Sequence, residues 1–167
     1  MKSMSILKIG LCAAGSFAAL ISSSANADVS TTTLPVSATI LENCTVLATP
    51  MVFAPSQVGT AAVDSTSTIT LTCTPNADFD VALNAGANAV SGARNMKLAT
   101  GAELLPYEIY QDAAHTQIWG NTAGVNTKLG TAPSGTATMT AFGRIAANRP
   151  SVSAGNYSDS VTVTVTF

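Results

Sequence analysis

Charged side chains are scarce in this sequence of 167 residues. Asp, Glu, Lys and Arg make up 10% of the chain, and serine and threonine supply most of its polarity. The formal net charge is −2, and the few lysines and arginines are scattered along the sequence. Because a basic patch is the usual mark of a protein that binds nucleic acid or an anionic membrane, we expect neither partner. Such a polar but nearly uncharged surface suits assembly more than colloidal solubility.

Histidine is also scarce, since it occurs only at His115. A Ser/His/Asp or Cys/His site would have to include this residue, yet its context, QDAAHTQIW, matches no such motif. We interpret His115 as a solvated side chain in a turn and predict that the chain is not an enzyme. Asp78 and Asp80 offer two carboxylates, whereas calcium takes six or more oxygens. We therefore read this pair as polar residues at a strand entrance, and we predict no metal and no cofactor.

Only one long apolar run occurs, from residue 9 to residue 21. Lys2 and Lys8 precede it and the small-residue triplet 25–27 follows it, which is the layout of a secretory signal peptide over residues 1–27. The run is shorter than the ~20 residues that span a bilayer. We expect export and removal of this segment, which leaves five basic and nine acidic residues from Asp28 onward.

Two cysteines, Cys44 and Cys73, follow the predicted signal peptide. In an exported protein an even count indicates a disulfide, and two cysteines allow one connectivity. Metal ligation is the alternative, but no second cysteine or histidine lies at ligand spacing from either residue. On the chain-entropy model, this disulfide stabilises the fold by roughly 3 to 4 kcal/mol.

The remaining sequence alternates apolar and polar residues with a period of two, which is typical of β-strands with one buried face. Linkers with turn-forming residues separate these segments, among them GNTAGVNTKLGTAPSG, and helical patterns are nearly absent. We predict an antiparallel β-sandwich. The residues predicted to share inner faces are Ile69, Leu71 and Cys73; Phe79, Val81 and Leu83; Leu105, Tyr107 and Ile109; and Ala137, Met139 and Ala141.

Two alternating segments lie outside these strands, one at each end. The first contains Leu34, Val36, Ala38 and Ile40. The second, VTVTVTF, spans residues 161–167. A strand this apolar is an aggregation hazard when it lies at the edge of a sheet, so we expect a partner to cover it.

Four features of the sequence stand out together: the stretch YEIYQDAAHTQIWG, the closing FGRIAANRPSVSAGNYSDSVTVTVTF, Cys44 just after the alternating N-terminal segment, and Cys73 at the end of a strand. Together they resemble the spore coat protein U family, which includes subunits of archaic, Csu-type chaperone-usher pili. The resemblance runs over essentially the whole chain after the signal peptide. Its most specific part is the pattern G-N-Y-x-D-x-V-x-V-x-V-x-F, which begins at Gly155.

The resemblance implies an incomplete immunoglobulin-like sandwich that lacks its final strand and is completed by a strand donated from another subunit. Residues 28–41 then form the donor segment and residues 42–167 the pilin domain. The implied partners are identical or related pilin subunits, a periplasmic chaperone and an outer-membrane usher.

The resemblance also assigns roles by position. The donor side chains are Leu34, Val36, Ala38 and Ile40. The chaperone-facing edge of the groove consists of Val161, Val163, Val165 and Phe167. Pro35 removes one donor from the ladder, so the register of the donor strand stays open, and Ile40 could instead belong to the first strand of its own domain.

The expected function is a structural pilus subunit, exported to the cell surface, for attachment and biofilm formation. Within the same family, a secreted spore or cell-surface coat protein is the alternative. From other classes, the alternatives are a sugar-binding sandwich that uses Trp119 as an aromatic platform and a hydrolase that uses His115. A single tryptophan is more often a packing residue than a platform.

Overall fold

The computed structural model describes residues 28–55, 61–147 and 152–167. These residues contain strands, turns and irregular segments, and no helix, so the predicted all-β fold is confirmed. No helix in this part of the chain is long and apolar enough to cross a membrane. Thr39–Phe167 form one compact unit, and residues 28–38 precede it as an exposed segment without regular structure. The predicted signal peptide, residues 1–27, lies outside the described residues.

Ten strands make up the described fold. They are β1 Cys44–Ala48, β2 Val63–Cys73, β3 Ala77–Leu83, β4 Asn95–Leu98, β5 Leu104–Pro106, β6 Glu108–Tyr110, β7 Lys128–Ala132, β8 Thr136–Ile145, β9 Tyr157–Ser158 and β10 Val163–Thr166.

The strands form three sheets in which every pairing is antiparallel. The first sheet has the order β1-β2-β8-β6, the second β10-β3-β7 and the third β5-β4-β9. The longest pairing joins β2 to β8 from Val63↔Ile145 to Thr72↔Thr136. Because β1 and β10 lie at the ends of their sheets, each pairs along only one side within the described residues.

The core lies between the inner faces of the sheets, as the two-residue alternation predicts. In β2, Ile69 and Leu71 are buried, while Thr70 between them is only half-buried and lies on the opposite face. In β3, Phe79, Val81 and Leu83 are buried. These five side chains belong to one buried apolar cluster. It contains residues from all three sheets, which is the arrangement of a sandwich. Its remaining members are Met96, Tyr107, Ile109, Trp119, Ala132, Met139 and Ala141.

One predicted linker is wrong. The stretch GNTAGVNTKLGTAPSG contains β7, which pairs with β3. Its sequence, KLGTA, lacks the alternation of a strand because Gly130 takes an inward position. A Cβ atom there would lie 2.6 Å from the ring of Phe79, so the ring occupies the space that a side chain would fill. A strand whose missing side chain is replaced by a neighbour cannot be recognised from periodicity.

A second correction concerns residues 104–110, which the alternation predicts as one strand. The chain instead changes sheets at Tyr107, so that β5 pairs with β4 and β6 pairs with β8. The backbone N–H of Tyr107 donates to the carbonyl of Arg94, which holds the crossing point in place. The predicted inner face is nevertheless confirmed, since Tyr107 and Ile109 are buried and Leu105 packs against the core.

The predicted disulfide is present. Cys44 and Cys73 face each other in the register of β1 and β2, with their sulfur atoms 2.07 Å apart. The side-chain oxygen of Thr74 accepts a hydrogen bond from the backbone of Asn43, just beyond the bridge. The bridge therefore ties edge strand β1 to the centre of the first sheet.

Candidate docking groove

An apolar groove runs beside the two edge strands. Its volume is about 1020 Å³, which is as large as the pockets that hold sizeable ligands. Its first wall is formed by residues 48–55, the end of β1 and the irregular chain after it, and its second wall by residues 152–159 with Val161 and Val163. The Cα atoms of β1 and β10 come within 8 Å of each other, so the two sheets approach at this margin.

Core side chains form the floor of this groove. They are Ile69, Leu83, Met96, Leu105, Tyr107, Ile109 and Ala141. Leu105 is half-buried and the other six are less than a tenth exposed, so the groove reaches down to the core of the sandwich. An apolar strand that enters the groove would therefore pack directly against core side chains, with roughly 25 cal/mol gained for each Å² of its own apolar surface removed from water.

The first wall is held against the sandwich by two side chains, Met51 and Phe53. A Cβ atom at Gly143 would lie 2.2 Å from the sulfur of Met51 and 3.0 Å from the ring of Phe53. The glycine in β8 therefore gives both side chains room to pack against the core. Phe53 also meets Tyr107 edge to face, with ring centroids 6.2 Å apart.

The second wall is held by the carboxylate of Asp159. Its Oδ2 accepts a hydrogen bond of 2.8 Å from the hydroxyl of Tyr107, and its Oδ1 accepts bonds of 3.0 Å from both the backbone N–H and the side-chain amide of Asn88. Burial, together with the hydrogen bond to Asp159 and its negative charge, raises the pKa of Tyr107 well above its ordinary value. The phenol therefore remains a donor throughout the physiological range.

The four predicted edge residues lie along the second wall and β10. Val161, Val163 and Val165 are half-buried and pack against the core, whereas Phe167 is 49% exposed. Val161 and Val163 line the groove. Their predicted contact with a chaperone stays a prediction.

The predicted donor residues lie in an exposed segment without regular structure. Leu34, Val36 and Ile40 are more than four-fifths exposed, and Ala38 is also exposed. Ile40 precedes β1 and does not form part of it, so its alternative assignment to the first strand of its own domain is wrong. Their predicted role as a donated strand stays a prediction.

Trp119, the residue of the sugar-binding alternative, is completely buried. Its indole N–H donates a 2.8 Å hydrogen bond to the carbonyl of Val81. Its own carbonyl accepts from Arg94, a buried guanidinium that also bonds the carbonyls of Leu83 and Asn84. Trp119 presents no ring face to solvent and is a packing residue.

His115 also differs from its sequence-based interpretation. The residue lies in a turn, as expected, but its side chain is only 9% exposed and packs edge to face against Tyr110 with ring centroids 5.1 Å apart. The carboxylate of Asp64, 3.8 Å from Nε2, is already bound by Arg144. The side chain is a packing group that lies outside the groove lining.

The two carboxylates of β3 behave as polar strand residues. Asp78 accepts a hydrogen bond from Thr131, and Asp80 accepts one from Thr127. Within the described residues, no three His, Cys, Asp or Glu side chains lie together as metal ligands.

Sequence reasoning missed Phe53 and Asp159 as groove residues, and it missed Asn88 as the residue that binds the Asp159 carboxylate. A signal existed for Asp159, because it lies in the closing motif, and Tyr107 begins the motif YEIYQDAAHTQIWG. The contact between them could not be inferred, since 52 residues separate the two positions.

A comparison with protein families matches residues 30–164 to the family described as the Spore Coat Protein U domain. No curated protein matches the chain.

Among solved structures, the chain resembles a crystal structure of the CsuC–CsuE chaperone–tip adhesion subunit pre-assembly complex from archaic chaperone-usher Csu pili of Acinetobacter baumannii. The TM-score is 0.57 at 26% identity, over 77% of this chain and 41% of the matched one. This chain therefore spans less than half the length of the matched chain. A chaperone–tip adhesin complex of CFA/I fimbriae matches with a TM-score of 0.46 at 13% identity, over 72% of this chain and 41% of that one.

Proposed function

The chain belongs to the Spore Coat Protein U domain family, and from this membership we propose that it is a structural subunit of a chaperone-usher pilus. In this proposal the protein is exported through the periplasm to the cell surface, where the pilus serves attachment and biofilm formation. Its partners are pilin subunits, a periplasmic chaperone and an outer-membrane usher. The family and the matched Csu subunit are structural proteins and not enzymes.

The observation that carries the proposal is the apolar groove beside two edge strands. Edge strands present unpaired N–H and C=O groups, and an added strand satisfies them while its alternate side chains enter the groove. The alternating segment with Leu34, Val36, Ala38 and Ile40 has the period that such a strand needs. Because its large apolar side chains are exposed, they are available to another copy.

The donor segment has the length and the apolar side chains of a short strand. Residues 34–40 span about 20 Å when extended, at about 3.3 Å per residue. Burial of Leu34, Val36 and Ile40 contributes roughly 1.5 to 3 kcal/mol for each side chain. Donation from each copy to the next is a head-to-tail contact that does not close, which generates a filament.

The experiment compares two substitutions on opposite faces of the donor segment. Val36→Asp places a charge on the inward face, and Ser37→Asp places the same charge one residue further on, where the side chain points away from the groove. We expect Val36→Asp to abolish polymers on unheated denaturing gels and by light scattering, while Ser37→Asp assembles like the wild type. Both variants should still bind the chaperone.

The proposal fails if Val36→Asp polymerises normally or if both variants lose assembly equally. Electron microscopy of the wild-type polymer separates the pilus from a coat protein, because a pilus subunit gives thin fibres and a coat protein gives an amorphous or sheet-like layer.

A further inference from the structure

The chain passes from one sheet to another between β9 and β10. β9 pairs with β4 in the third sheet, and β10 pairs with β3 in the second. Asp159 lies at this crossing, directly after β9. The position of its backbone therefore affects the second wall of the groove, in which Asp159 lies between residues 152–158 and Val161.

The Asp159 carboxylate is bound on both oxygens. Asn88 donates two hydrogen bonds to Oδ1 and Tyr107 donates one to Oδ2. Gly86 leaves the space that Oδ2 occupies, since a Cβ atom there would lie 1.9 Å from it. Hydrogen bonds to an ionised acceptor are roughly twice as strong as neutral ones, so the crossing is held firmly.

Tyr107 contacts both walls of the groove. Its hydroxyl binds Asp159 on the second wall, and its ring meets Phe53 on the first at a centroid distance of 6.2 Å. Its body forms part of the floor between them. One rigid side chain thus contacts both walls and links their positions.

We propose that Tyr107 and Asp159 are positioning residues that hold the walls of the groove at the separation a donated strand requires. The proposal rests on the function proposed above and deepens it, because it names the contact that keeps the groove ready for its strand. Without the contact, the apolar walls can close on each other or separate, and the incoming strand must first restore the spacing. Preorganisation of this kind increases affinity by removing that cost.

The test measures binding of a synthetic peptide of residues 28–42 to the full chain after the signal peptide. The chain carries Val36→Asp so that its own segment does not fill the groove of another copy. Asp159→Asn and Tyr107→Phe are then added one at a time, because each keeps the shape of the side chain and removes one part of the contact. Urea unfolding of every variant provides a separate measure of stability.

Two matched controls lie outside the groove lining. Asp112→Asn makes the same chemical change as Asp159→Asn, in a carboxylate that accepts several hydrogen bonds in a turn. Tyr110→Phe makes the same change as Tyr107→Phe, because it removes the hydroxyl of a tyrosine outside the groove lining. A peptide carrying Val36→Asp is the control for specific binding.

We expect Tyr107→Phe to weaken peptide binding about tenfold, the loss of one charge-assisted hydrogen bond. Asp159→Asn should weaken it at least as much, because its carboxylate also accepts two hydrogen bonds from Asn88. The double variant should lose about the same amount as Asp159→Asn alone, because the Tyr107 hydroxyl acts through that carboxylate. The control variants Asp112→Asn and Tyr110→Phe should bind the peptide normally, even where the substitution lowers the stability of the fold. If Asp159→Asn does not fold, Tyr107→Phe decides the test, since it retains the ring.

Normal binding by both groove variants overturns the inference, and so does an equal loss in the controls, which would make the effect one of general stability. A background chain that does not bind the wild-type peptide at all instead contradicts the proposed function. The two failures are therefore distinguishable.

Discussion

The hydroxyl of Tyr107 lies 2.8 Å from Oδ2 of Asp159, a residue 52 positions further along the sequence, and joins two motifs. One motif begins at Tyr107 and the other closes the chain. Their contact explains why a tyrosine occupies the point at which the chain changes sheets. It also leaves the Asp159 carboxylate closely surrounded, so a side chain added next to it should lower the stability of the fold.

Gly86 lies next to this carboxylate. Its φ is +86°, and a Cβ atom would lie 1.9 Å from Oδ2 of Asp159. Gly92 provides a matched control because its φ is +81° and nothing lies within 4 Å of a Cβ atom there. We expect Gly92→Ala to cost about 1 to 2 kcal/mol through backbone strain alone. Gly86→Ala should cost at least about 2 kcal/mol more, since the side chain must also displace the carboxylate. Urea unfolding of the two variants measures the difference, and equal losses would contradict this account.

Arg94 holds a second buried hydrogen-bond network, which does not include Asp159. Its guanidinium is buried, contacts Glu108 and bonds the carbonyls of Leu83, Asn84 and Trp119. Lysine cannot reproduce this fork, and the carbonyls would stay buried without donors. We expect Arg94→Lys to lower the free energy of unfolding by about 3 to 5 kcal/mol.

The control for that change is Arg144→Lys. Arg144 binds Asp64 at the surface, where both side chains are substantially exposed. We expect its urea midpoint to remain close to that of the wild type, because water and salt screen such pairs. A large loss at Arg144 with little loss at Arg94 would reverse the assigned roles.

Trp119 provides a spectroscopic test of the sugar-binding alternative. It is the one tryptophan of the sequence, it is fully buried, and the Lys128 ammonium lies 5.3 Å from its ring centroid. We expect blue-shifted emission that acrylamide hardly quenches and that mono- and oligosaccharides leave unchanged. Unfolding in urea should produce the red shift and the quenching. A saturable response of the folded protein to a sugar would restore the alternative.

Asp112 links stability to acid pH. Hydrogen bonds from the backbone of Gln117 and from Thr116 hold the pKa of this carboxyl below its usual range. The unfolded chain therefore binds the proton more tightly, so the stabilisation is complete above the unfolded pKa of about 3.9 and is lost as the pH falls from there toward the folded pKa. We expect Asp112→Asn to flatten the fall in the urea midpoint below about pH 4. Thr116→Val should flatten it in part, and an unchanged acid profile in Asp112→Asn would show that the turn does not contribute.

Local periodicity predicted much of the sandwich because strand alternation depends on neighbouring residues. The inner faces around Ile69 and Phe79 are buried as expected. Where a side chain is missing, as at Gly130 in β7, the pattern fails, because a distant ring fills the space. The sheet change at Tyr107 was missed for a related reason, since alternation continues through it while the pairing partners change.

The sequence by itself determined the all-β class and the pairing of Cys44 with Cys73, because alternation is local and two cysteines allow one bridge. Only the tertiary structure decided that Trp119 is enclosed and that Tyr107 meets Asp159 across the groove floor. These contacts depend on how three sheets pack, and packing brings together residues whose separation along the chain carries no information about their distance in space.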